Sequence, residues 1–235
     1  YLGILGSTLA LAAVLPFIGL IVDRYGLVRP VMVSLLGLAV AYVLLGLFVQ
    51  SIATFVALAM LQAVLGSASS PLAYTRAINS VFDKQRGLAL GIALSGAGVA
   101  ATFGPTLISS AVAALGWRGA YFVMAGFTLA VGTVIVVVLS RLNGAKTTVS
   151  VDPEAARQAF TTAKASRTYW TIMGAIFCLS LGLGGLMVHF IPVLLEVGFT
   201  NSGAAKVAGV IGIAVVLGRL LVGFAVDRLF APRVA

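Results

Sequence analysis

A guanidinium inside an apolar segment is the most chemically pointed feature of this sequence. Arg219 stands in Gly218-Arg219-Leu220-Leu221-Val222-Gly223, eight residues before Asp227. On a helix that spacing carries it about 12 Å from the charged end of the segment. An arginine keeps its charge there and grips a carboxylate through two parallel hydrogen bonds, which makes Arg219 a candidate anion ligand. The alternatives are that it reaches back to the interface or pairs with a carboxylate elsewhere. His189, seven residues before Glu196, either serves a pathway as hydrogen-bond donor or proton carrier, or fills a helix interface as a neutral ring. The stretch Ser67-Ala68-Ser69-Ser70-Pro71-Leu72-Ala73-Tyr74 gathers hydroxyls, Ser70 and Tyr74 among them, with a proline that can kink the helix. Such a stretch suits a cavity wall and equally suits close helix packing. Arg76, near a charged end, either lines the inner mouth or, as the simpler reading, snorkels to the interface.

A second constellation occurs twice. Gly19-Leu20-Ile21-Val22-Asp23-Arg24 and Gly223-Phe224-Ala225-Val226-Asp227-Arg228 share the spacing G-x-x-x-D-R and lie 204 residues apart. Glycine one turn before the aspartate lets another backbone approach, and the aspartate can accept from free N–H groups at a helix start or from an arginine. That contact is a latch that can be made and broken. Gly26 and Arg29 extend the first copy, whereas the second continues Leu229-Phe230-Ala231-Pro232. A plain turn with snorkelling ends is the alternative for both. The period is far longer than a solenoid repeat and fits two homologous membrane halves.

The elements that must hold these residues are set by composition. Of 235 residues, 61% are hydrophobic and 9% charged, where a soluble domain carries about 25% charge. The chain therefore lies in lipid. One cysteine, Cys178, excludes an internal disulfide, and with a single histidine no metal site is expected. No catalytic cluster and no Walker motif are present, so neither an enzyme nor a cofactor is expected. Seven charge-poor windows of bilayer-spanning length run approximately 2–22, 31–50, 53–75, 87–115, 119–140, 170–195 and 205–226.

The links on one side of these windows hold eleven Lys/Arg, and those on the other side hold two, Arg118 and Lys206. Basic residues in short loops stay cytoplasmic, which puts the first residue outside and the last inside. The net charge of +9 thus reports topology and lipid headgroups rather than nucleic acid. The absence of an initiator methionine at Tyr1 reads as a fragment, and the first window lacks the charged flank of a signal peptide.

Window four carries Gly91, Gly96, Gly98, Gly104 and Pro105, a small-residue face with a bend. Trp117 and Arg118 read as an interfacial anchor. No aspartate or glutamate falls in mid-window, which disfavours a cationic substrate.

GLIVDRYGLVR and GFAVDR resemble the paired signatures of the major facilitator superfamily, the first between its second and third helices and the second between its eighth and ninth. The resemblance covers essentially the whole chain. It implies an all-α membrane protein, an incomplete bundle with seven of twelve transmembrane helices, numbers two to eight. By it, 1–140 is the N-terminal bundle without its first helix, 141–169 a cytoplasmic central loop and 170–235 the start of the C-terminal bundle. Phe82-Asp83-Lys84-Gln85-Arg86-Gly87 and Gly116-Trp117-Arg118-Gly119-Ala120-Tyr121-Phe122 are similar to bacterial relatives of the monocarboxylate and oxalate/formate carriers. Arg219 then matches their carboxylate-binding arginine, although Val215 stands where eukaryotic members place an acid.

The implied function is secondary transport of a small organic anion by alternating access, with a coupling proton or a counter-transported anion. The implied setting is a bacterial inner membrane, with the full-length protein a monomer that binds no nucleic acid. Neutral or drug-like solutes of the same superfamily are the alternative cargo, and a seven-helix receptor or sensor the alternative class.

Overall fold

The computed structural model describes residues 2–71, 74–75, 78, 86–142, 158, 161–162 and 164–228. Arg76, Asp83 and most of the segment 141–169 fall outside these residues, as does the side chain of Asp23.

Helix α1 spans Leu2–Tyr25. Gly26 follows at φ 75°, a left-handed value that suits glycine, and turns the chain into α2, Val28–Phe48. Helix α3, Ile52–Gly66, starts from a capping box. The Ser51 hydroxyl accepts from Thr54 N at 3.2 Å, and the Thr54 hydroxyl accepts from Ser51 N at 2.9 Å.

The window 53–75 is not one straight helix. After Gly66 the chain makes a 3-10 turn, Ser67–Ser69, and Ser70 is extended at φ −84° and ψ 158°. Pro71 accounts for this, because its ring drives the preceding residue out of the α region. Hydroxyls take up the freed main-chain groups. Ser67 Oγ donates to Val64 O at 2.6 Å. Ser34 Oγ, from α2, donates to Leu65 O at 2.7 Å and accepts from Ser69 N at 3.1 Å. Where water cannot reach, such a brace is what makes a helix break tolerable.

Residues Arg86–Leu142 form one helical stretch broken at Gly116, whose φ of 72° and ψ of 172° are essentially reserved for glycine. The break yields α4 (86–115) and α5 (117–142). The non-helical backbone of this stretch thus falls at Gly116 rather than at Gly104-Pro105. Helix α6 spans Arg167–Glu196, and a short link leads to α7, Asn201–Arg228. In that link Gly198 N and Phe199 N donate to Leu195 O and Leu194 O at 3.0 Å each, and Thr200 Oγ1 caps α7 by accepting from Gly203 N at 3.1 Å.

With Arg86–Val138 taken as one, five helical stretches among the described residues are long and apolar enough to cross a bilayer, and Ile52–Leu65 is a shorter apolar helix. Large apolar side chains such as Leu20, Phe103 and Leu221 are exposed, a surface suited to lipid. The chain is a helical multi-pass membrane protein.

Small residues set the packing. The start of α1 lies along the start of α3, with Gly3 against Phe55 and Gly6 against Val56 and Met60. Helices α2 and α3 run antiparallel, Gly37 meeting Leu65 and Gly66 meeting Leu38. Helix α5 runs antiparallel to α2, from Phe122 against Gly46 to Gly132 against Leu35. Near the start of α2, Leu27, Val31 and Leu35 form a buried core, joined by Val22, Tyr74, Ile135 and Val136. Helix α4 packs extensively on α7, whereas α6 buries none of its residues.

Candidate functional site

The seam between α4 and α7 gathers the residues with the sharpest chemistry. On α4, Gly87, Gly91, Gly98 and Thr102 fall on one stripe, and on α7 Gly209, Gly212, Val216, Arg219 and Gly223 do the same, at the three- and four-residue steps of a helix face. The helices run antiparallel, from Gly87 against Gly223 to Thr102 against Gly209. Here the absence of Cβ atoms is structural. A Cβ on Gly87 would stand 2.6 Å from Gly223 O, one on Gly91 2.6 Å from Arg219 O, and one on Gly209 2.7 Å from Thr102 O. Gly98 is equally confined, 2.9 Å from Gly212 O. Main chain therefore lies on main chain along much of the seam.

Two polar ties cross it. At the charged end, the Asp227 carboxylate accepts from Gly87 N through Oδ1 and from Leu88 N through Oδ2, each at 2.8 Å. These are N–H groups of the first turn of α4, which lack a partner within their own helix and sit at the positive end of its dipole. Further along, Arg219 is half-buried and its Nη1 donates to the main-chain oxygen of Leu94. That carbonyl is Arg219's hydrogen-bond partner among the described residues.

The other expected residues lie elsewhere. Tyr74 packs on the Leu27 core, with its hydroxyl 3.0 Å from Ser69 Oγ. Ser70 Oγ is buried and makes no hydrogen bond among the described residues. His189 is exposed on α6. Gly96 and Gly104 face open space rather than the seam, as a Cβ on either would meet nothing within 4 Å. Arg228 folds back over the Phe224 ring at 4.2 Å, and Arg24 lies 5.5 Å from the Tyr25 ring centre. Arg118 lies 4.8 Å over the Trp117 ring and donates to Val49 O at 3.1 Å, tying the start of α5 to the end of α2.

Thr102, Gly209, Gly212 and the Leu94 carbonyl were not among the expected site residues, and Gly87 stood only in a family motif. The glycines had a signal, since small residues recur on one face of each helix. A main-chain acceptor has none.

An open groove of about 660 Å³ between α1 and α3 has purely apolar walls, including Leu2, Leu9, Ile52 and Met60, and so offers no anchor for an ion. No group of three or more His, Cys, Asp or Glu among the described residues is placed to hold a metal.

The sequence model of the Major Facilitator Superfamily matches residues 2–235. Monocarboxylate transporter 12 of Xenopus laevis is 26% identical over 213 residues, covering 80% of this chain and 46% of that protein. Monocarboxylate transporter 12-B of Danio rerio is 25% identical over 218 residues, covering 78% of this chain and 45% of that protein. The chain spans about half the length of these curated relatives. By the match over nearly its whole length, the chain belongs to the Major Facilitator Superfamily.

Proposed function

We propose that the chain is part of a secondary active transporter that moves a small organic anion, a monocarboxylate or dicarboxylate, by alternating access. The observation that carries the reading is Arg219, a half-buried cation in an apolar helix whose partner among the described residues is a neutral carbonyl rather than a carboxylate. A guanidinium so placed binds an anion strongly, because low polarity raises the value of each charge-assisted bond and planar carboxylates match its fork. The names of the two relatives point the same way.

In this reading α4 and α7 belong to opposite halves of the carrier, 1–140 and 170–235, joined by the cytoplasmic segment 141–169. Rocking opens and closes the seam between them. Asp227 on the α4 N-terminus is the inner latch, and Gly19, Asp23, Arg24, Gly26 and Arg29 form its counterpart in the other half. Eleven basic residues against two orient both latches to the cytoplasm, with residue 1 outside. A proton or a second anion supplies the coupling.

The test is uptake by the full-length protein in proteoliposomes, with monocarboxylates, dicarboxylates and neutral solutes offered with and without a pH gradient. Saturable carboxylate uptake is expected, and Arg219→Gln lowers it roughly 30-fold or more while leaving membrane insertion intact. Uptake of carboxylates unchanged in Arg219→Gln removes Arg219 from the site. Transport confined to neutral solutes replaces the anion reading.

A further inference from the structure

Arg219 projects from α7, yet its bond is to α4. Its Nη1 donates to Leu94 O across the seam, at a level where Gly91 allows the two backbones to touch. The Leu94 carbonyl lies inside α4 and is also the acceptor of its own helical turn, so it offers the guanidinium one neutral, shared lone-pair site. A carboxylate offers two charged oxygens in the geometry of the guanidinium fork. A bidentate carboxylate takes two of the five guanidinium donors, and on the edge that includes Nη1 it competes directly with Leu94 O and is the stronger acceptor. Binding through that edge draws Nη1 away from Leu94.

We infer that Arg219 is a clasp that ties α7 to α4 through Leu94 O in the empty carrier, and that a carboxylate substrate releases it by taking the guanidinium. Binding at the site is thereby converted into a looser seam. The inference rests on the reading of Arg219 as the carboxylate ligand and adds what that ligand does when no substrate is bound. Coupling of this kind is reciprocal, so a carboxylate binds more tightly to the separated seam than to the closed one. The Asp227 latch lies about 12 Å away along α7 and is not broken by substrate. Release of the clasp therefore lowers the cost of opening without itself opening the inner end.

The experiment uses full-length protein in nanodiscs carrying Cys178→Ser and spin labels at Ile92→Cys on α4 and Leu221→Cys on α7, both exposed side chains outside the seam stripe. Pulsed dipolar spectroscopy reads the ratio of closed to separated seam, and calorimetry reads binding of lactate and oxalate. Saturating carboxylate is expected to shift the ratio about tenfold toward separation, the low end for losing a hydrogen bond to a charged group. Arg219→Gln without substrate is expected to show the same shift and no further response.

A native ratio that stays fixed at carboxylate saturation overturns the clasp, and that arm needs no variant. Arg219→Gln that abolishes carboxylate binding but leaves the empty ratio native overturns the clasp while the anion site stands. A shifted ratio with carboxylate binding intact overturns the anion site, and with it release by substrate.

Discussion

The glycine seam makes a steric prediction at Gly223. An added Cβ would lie 2.5 Å from Gly87 O, 3.1 Å from Gly87 C and 3.4 Å from the Gly91 Cα, all of them backbone atoms that cannot rotate aside. Gly223→Ala therefore requires α4 and α7 to move apart by about 1 Å, the gap between that approach and ordinary contact. Overpacking of this kind costs about 1–3 kcal/mol, and the gain in helix propensity from glycine to alanine returns up to about 1 kcal/mol.

Against unfolding the propensity gain offsets part of this, but the closed seam carries the full cost of about 1–3 kcal/mol relative to the separated one, since the separated helices keep the alanine freely. Gly96→Ala is the matched control, because it makes the same chemical change where no atom stands within 4 Å. Thermal unfolding of both full-length variants in detergent gives the first measure. Reactivity of a cysteine placed at the start of α4 gives the second, with Gly223→Ala expected to raise inner-end accessibility roughly 5-fold to 150-fold. If Gly223→Ala and Gly96→Ala unfold at the same temperature and label at the same rate, the two backbones do not touch at Gly223 and the seam as described is wrong.

The remaining predictions concern single polar contacts. Asp227→Asn replaces two charge-assisted bonds at the α4 N-terminus by one neutral acceptor; because the site is exposed the cost is near 1 kcal/mol, about a fivefold loss of closed inner end by cysteine labelling. Unaltered labelling would show that the carboxylate holds nothing shut. Ser34→Ala removes the hydroxyl that serves both Leu65 O and Ser69 N, and is expected to lower unfolding stability by about 1–3 kcal/mol. A neutral effect on unfolding would mean the broken turn needs no brace. Tyr74→Phe deletes the partner of Ser69 Oγ and should cost about 1 kcal/mol with carboxylate affinity retained, while a selective loss of affinity would return Tyr74 to the pathway.

The helices were legible in the sequence because lipid leaves the chain few choices. A span must be long, apolar and internally hydrogen-bonded, and charge-poor windows find such segments directly. A kink in the Ser67–Tyr74 stretch was legible from its proline, but its repair was not, since the serine that braces the break at Ser67–Ser70 stands more than thirty residues upstream. Among the glycines of α4, composition did not say which face meets a neighbour. At 100° per residue Gly87, Gly91 and Gly98 share a stripe, while Gly96 and Gly104 point away from it, and the placement of α7 selects between the two.

For Asp227 the expected acceptor chemistry is the one observed, but the helix start it caps belongs to α4, 140 residues earlier. Pairings across such a separation leave no local trace. Arg219 was legible as a buried cation and its resting partner was not, because a carbonyl oxygen belongs to every residue alike.

A surface where two backbones meet behaves like a plain bearing. Interlocked side chains must leave their rotamer wells before one helix slides past another, and each such step raises friction. Glycine against carbonyl oxygen presents little to disengage, so among the described residues the resistance to sliding falls on Val216, Thr102 and the two points where hydrogen bonds cross. If the seam opens and closes as proposed, the speed of that movement is set by a carboxylate and a guanidinium, separable by mutation from the shape of the helices that carry them.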